Sequence, residues 1–171
     1  EQGRHIAVRM IFRPAAAGTY SIALHAAKGV PDAGVSGGLM PPMFAARRLP
    51  ATPQMLFSAM MPQCISAVST DAAYGTATAF VAAEPTDLGT DWGSYDYSPV
   101  GFTLRNSAGE MQPVSFSPLP GMSDSKVKAG RTVEAHFNIG ITAGTWADAL
   151  EYAGSDIFGL TDYRRPSTSL T

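Results

Sequence analysis

Residues His5 to Arg13 alternate almost without error, with Ile6, Val8, Met10 and Phe12 on one phase and His5, Ala7, Arg9 and Arg13 on the other. A strand turns successive side chains to opposite faces, so the run predicts one buried face and one wet face. The same period recurs at Tyr20, Ile22, Leu24 and Ala26, and at Val100, Phe102 and Leu104. It is cleanest at Val133, Ala135, Phe137, Ile139 and Ile141, opposite Thr132, Glu134, His136 and Asn138. The chain is expected to be mostly antiparallel sheet.

Composition narrows the class. At 171 residues the chain has the size of one domain with a real core. Charged residues make up only 15%, while there are 17 glycines and 13 prolines. That balance suits short strands joined by many turns, a surface typical of extracellular and virion β proteins. A net charge of −2 with no basic stripe excludes a nucleic-acid partner, because phosphate binding needs clustered cations. No apolar run reaches the length of a membrane helix, so membrane insertion is not expected. Glu1 to Arg4 carry neither an initiator Met nor a signal-peptide core, which fits numbering that starts after a removed leader or at a chosen cut. Cys64 is the only cysteine and reads as a small buried hydrophobe.

Along the chain, Pro14 to Gly18 is a turn, and the strands on either side of it read as a hairpin. The stretch 29–62 is a Pro- and Met-rich insertion, in which Met40, Met43, Phe44, Leu49, Met55, Leu56, Phe57, Met60 and Met61 are too apolar for a free linker. It is expected to lie over the sheet or against a neighbouring subunit, with Pro53 to Met61 as a short helix. Residues 72–83 are rich in Ala and Thr, so that strand must sit close to something else. Asn106 to Gly109 supplies the chemistry of a tight turn. Thr145 and Asp148 resemble a capping box that would start a helix at Trp146, although the same residues also read as a strand facing Trp146 and Leu150 inward. The tail 165–171 is expected to be flexible.

No catalytic or cofactor motif is present: there is no nucleophile elbow, HExxH, CxxC, phosphate loop or dinucleotide fingerprint. The chain is therefore expected not to be an enzyme and to need no cofactor. His5, His25 and His136 each fall on the polar phase of a predicted strand, and zinc would require those strands adjacent and in register, so no metal is expected. Asp87, Asp91 and Asp96 fit no standard calcium loop. In the loop from Glu84 to Ser98, Trp92, Tyr95 and Tyr97 stand beside Asp91 and Asp96. Aromatic faces next to carboxylates can stack on sugar rings and accept hydroxyl protons, so these five residues are the candidate binding surface.

The segments Gly101 to Glu110, Ser115 to Pro120 and Ala129 to Asn138 resemble the closing half of chaperone-usher fimbrial subunits, particularly the K88-like pilins. The resemblance spans residues 100–141. Two features depart from that pattern, namely the chain running on past Trp146 and the Met-Pro-rich insertion. The resemblance implies a single immunoglobulin-like antiparallel sandwich over residues 1–171, strand-complemented between subunits, with a jelly roll as the alternative. It implies residues 1–14 as a donor strand or first strand, with Ile6, Val8, Met10 and Phe12 at the subunit interface. The function it implies is a structural and adhesive subunit of a bacterial surface fimbria, secreted to the cell surface. Its partners would be identical or related subunits, a periplasmic chaperone, and a host glycan or receptor. The alternatives are a virion coat, spike or decoration protein, and a secreted carbohydrate-binding module.

Overall fold

The computed structural model describes residues 5–61, 63–88 and 98–161. The strands are β1 (His5–Phe12), β2 (Gly18–Thr19), β3 (Ile22–His25), β4 (Val35–Met40), β5 (Phe44–Ala46), β6 (Met55–Phe57), β7 (Ile65–Ala72), β8 (Gly75–Ala83), β9 (Gly101–Arg105), β10 (Met111–Ser117), β11 (Lys126–Val127) and β12 (Val133–Ala143). A helix α1 (Trp146–Tyr152) follows and continues into a wider turn over Ala153–Ile157.

The fold is an antiparallel β-sandwich, not a closed barrel. One sheet has six strands in the order β1-β12-β8-β7-β4-β5, and the other has four in the order β3-β10-β9-β6. Between them Met40, Val68 and Ala83 meet Leu56, Phe102, Leu104 and Met111. Beside this cluster, Val81, Ala135 and Phe137 meet Ile22, with Leu24 against its margin.

The alternate residues of the larger sheet face outward, and α1 covers them. Trp146, Ala149, Tyr152 and Ala153 pack on Leu39, Ile65, Ala67, Phe80 and Ala82. This explains the Ala-rich strand, because Ala67 and Ala82 leave room for a helix whose own contact residues are Ala149 and Ala153. Gly37 has the same role, since a Cβ there would lie 3.0 Å from Cδ1 of Trp146. The helix starts at a capping box: Thr145 N–H donates to Asp148 Oδ2 at 2.7 Å, and Thr145 Oγ1 accepts from Ala147 N–H at 3.3 Å. Of the two sequence readings of this segment, the helix is the one adopted.

Three expectations are corrected. β1 and β3 do not form a hairpin, because the chain after Pro14 crosses from the larger sheet to the smaller one, where β3 pairs with β10. The described part of the 29–62 segment is built into the sheets instead of being laid over one. It supplies β4 to the larger sheet and β6 to the smaller, burying Met40 and Leu56, while Met43, Met55 and Met60 remain exposed. Pro53 to Met61 is β6 followed by a single 3-10 turn over Ser58–Met60, with no longer helix.

Arg105 ties this segment down. Almost fully buried, it donates from Nε to the Pro50 carbonyl at 3.0 Å and from a terminal nitrogen to the Gly109 carbonyl, and it pairs with Asp32 at 2.9 Å. One guanidinium thus joins three loops.

Candidate functional site

Two features stand out: the edge of β1, which no other strand pairs among the described residues, and a chain of ionic side chains on the outer face beside it. β1 pairs antiparallel with β12 from His5↔Gly140 to Phe12↔Val133. This register sets Ile6, Val8, Met10 and Phe12 on the inner side, next to Ile139, Phe137, Ala135 and Val133. The smaller sheet is too narrow to cover them all. Val8 and Met10 are half-buried, whereas Ile6 is 66% and Phe12 38% exposed. The expected buried face is therefore buried only in its middle. On the other side, Ile11 is 58% exposed.

The polar side of β1 is not simply wet. His5 Nδ1 lies 2.7 Å from the Tyr152 hydroxyl at the end of α1. Arg9 makes a two-pronged contact with Glu134 of β12, from Nε to Oε1 at 2.5 Å and from Nη2 to Oε2 at 3.0 Å. Glu134 Oε1 also meets Nε2 of His136 at 2.9 Å, and the other ring nitrogen of His136 lies 3.0 Å from Asp87 Oδ2. The result is a continuous Arg9, Glu134, His136, Asp87 chain across β1, β12 and the 3-10 turn over Pro85–Asp87.

Each shift in this chain has a cause. The Arg9 hydrogen bond is the largest influence on Glu134, lowering its pKa from 4.5 to about 2 against the effect of burial and with help from His136. Glu134 in turn raises the pKa of Arg9. Burial by itself lowers the pKa of His136, but the hydrogen bonds and charges of Asp87 and Glu134 together outweigh it, so the net direction is up. With a carboxylate at each ring nitrogen, the imidazolium is the form that satisfies both contacts.

Asp87, Glu134 and His136 of this chain line an open cleft of about 420 Å³ together with Pro118, Asp124 and Arg131. Among the described residues, no three His, Cys, Asp or Glu side chains are arranged to hold a metal ion. Cys64 is buried, and that burial pushes its thiol up to about 12, so it is protonated and inert at neutral pH.

The recognition residues expected from sequence, Asp91, Trp92, Tyr95, Asp96 and Tyr97, lie outside the described residues. The ionic chain was not foreseen. Arg9, Glu134 and His136 sit on the polar phases of two strong strands, and only the register between those strands puts Arg9 opposite His136. The chain matches no protein-family model, no curated protein and no solved structure.

Proposed function

We propose that the chain is a structural and adhesive subunit of an extracellular fimbrial polymer, joined to identical or related subunits by complementation through β1. One observation carries this reading. The first strand stands at the edge of the six-stranded sheet and, among the described residues, has β12 as its only strand partner. A strand held in this way can be exchanged between copies. Placed on β12 of the next subunit, β1 would keep its whole register with chemically identical neighbours, and residues Pro14 to Gly18 would serve as the hinge. Each chain donates one strand and receives one, and an exchange that passes each β1 to the next copy in line, instead of closing between two copies, grows into a filament. The low charge and turn-rich composition support an extracellular setting.

The test is a pair of cysteines across the β1–β12 register, Val8→Cys with Phe137→Cys, oxidised after incubation at high concentration. Exchange is expected to yield a covalent ladder of three or more chains. Internally bridged monomer at every concentration would show that β1 stays in its own subunit and would end this reading.

A further inference from the structure

We infer that the free edge of β1 is an interface for a second copy of the same chain, with the two β1 strands pairing antiparallel about a two-fold axis through Val8. The pairing uses the outer edge of β1 and leaves its contact with β12 intact. It therefore stands whether β1 remains in its own subunit or is exchanged.

The first argument is the edge itself. The other sheet edges are short, with three residues in β5, four in β3 and three in β6, whereas β1 has eight. Short strands, prolines and charges are the usual guards of an edge, and a long edge without them templates pairing with another chain. β1 contains no proline and no acidic residue. Its one permanent charge, Arg9, is already bound by both oxygens of Glu134. Ile6 and Ile11 stand exposed along it, on opposite faces.

The second argument is that the strand complements itself in one register. A two-fold axis perpendicular to the sheet keeps each residue on its own face, so paired residue numbers must have an even sum. An axis through Arg9 would set two guanidinium groups directly opposite each other, an unfavourable cross-strand pair. Axes through Ala7 or Met10 leave only a short overlap. With the axis through Val8, the inner face pairs Val8 with Val8 and Ile6 with Met10, and the outer face pairs Ala7 with Arg9 and His5 with Ile11. No two arginines meet, and the six-stranded sheets of the two copies run on as one. An edge contact of this kind is small, so the dimer belongs to high local concentration, as inside a polymer.

Disulfide mapping on the full chain tests this directly, because Cys64 is buried and contributes no background. Opposed strand positions fall within disulfide reach. Val8→Cys alone is expected to give a disulfide dimer at least tenfold more abundant than Ile6→Cys alone. A mixture of Ile6→Cys and Met10→Cys chains should give the heterodimer. Circular dichroism and thermal midpoints like those of the parent show that each variant is folded. Folded Val8→Cys chains that stay monomeric, or equal crosslinking at all three positions, would overturn the pairing. The two readings fail separately, since exchange gives a ladder only with Phe137→Cys present and edge pairing stops at two chains with Val8→Cys alone.

Discussion

His5 Nδ1 lies 2.7 Å from the hydroxyl of Tyr152, a contact that ties the start of the first strand to the end of the only α-helix among the described residues. The two rings stand 5.8 Å apart and tilted, and Tyr152 also packs on Phe80. The N-terminal strand is thus held by backbone pairing to β12 and by a side chain from the layer above. Tyr152→Phe keeps the ring packing and removes this hydrogen bond. The expected loss is about 0.5–1.5 kcal/mol, the usual net worth of such a bond. It should be read in urea unfolding, with faster amide exchange at residues 5–8 than at 65–68. Unchanged exchange at the start of β1 would show that the contact does not hold the strand.

Arg105→Met tests the anchor of the 29–62 segment. The variant leaves the Pro50 and Gly109 carbonyls without their donor. Removing one partner of a buried polar contact costs more than the contact is worth, so a destabilisation of roughly 2–4 kcal/mol is expected in denaturant unfolding. Arg105→Lys should recover only part of it, because an ammonium cannot present the guanidinium fork to three loops at once.

The long alternating strands were legible because a period of two needs nothing beyond the strand's own residues. Val133 to Ile141 is the clearest case. The turn at Asn106 to Gly109 was legible too: Asn106 Oδ1 accepts from the Ala108 and Glu110 N–H groups, each at 3.0 Å, and Gly109 takes φ +83°. β4 was not legible. Its Gly37 and Gly38 carry no side-chain pattern, and they are needed because Trp146 and Leu49 press against the backbone from opposite faces. A sequence also does not state that one sheet is wider than the other, and that inequality is what exposes Ile6 and Phe12. The ionic chain depends on register, which alternation alone leaves free. For the same reason, alternation puts His5 and His136 on polar phases without naming their partners, Tyr152 for the one and Glu134 with Asp87 for the other.

Phe80→Ala tests whether the helix layer is integral. Phe80 is fully buried on the outer face of the larger sheet, beneath Tyr152. Truncation should cost about 3–5 kcal/mol, the range for a large aromatic removed from a core. A loss below about 1 kcal/mol in chemical unfolding would mean that α1 is only loosely applied.

The Arg9, Glu134, His136, Asp87 chain predicts a stability maximum with two unequal flanks. His136 has its pKa raised in the folded state by its two carboxylate partners, above the ordinary 6.5. Its contribution is therefore fully present below about pH 6.5 and is lost as the pH rises through the higher folded value. Glu134 behaves oppositely, because its pKa falls from 4.5 to about 2 on folding. Its contribution is present above the ordinary carboxylate value and is lost as the pH falls toward 2. The His136 side chain remains about one-third exposed, so solvent screening keeps its share to at most about 1 kcal/mol. His136→Gln should flatten the fall in stability above neutral pH and weaken the acid limb only in part, because Arg9 is the larger influence on Glu134. Arg9→Met should flatten the acid limb alone. Thermal midpoints from pH 3 to pH 9 for the parent and both variants provide the measurement. A parent profile that climbs steadily from pH 6 to pH 9, or a His136→Gln profile that parallels the parent there, would show that the imidazolium is not held between Asp87 and Glu134.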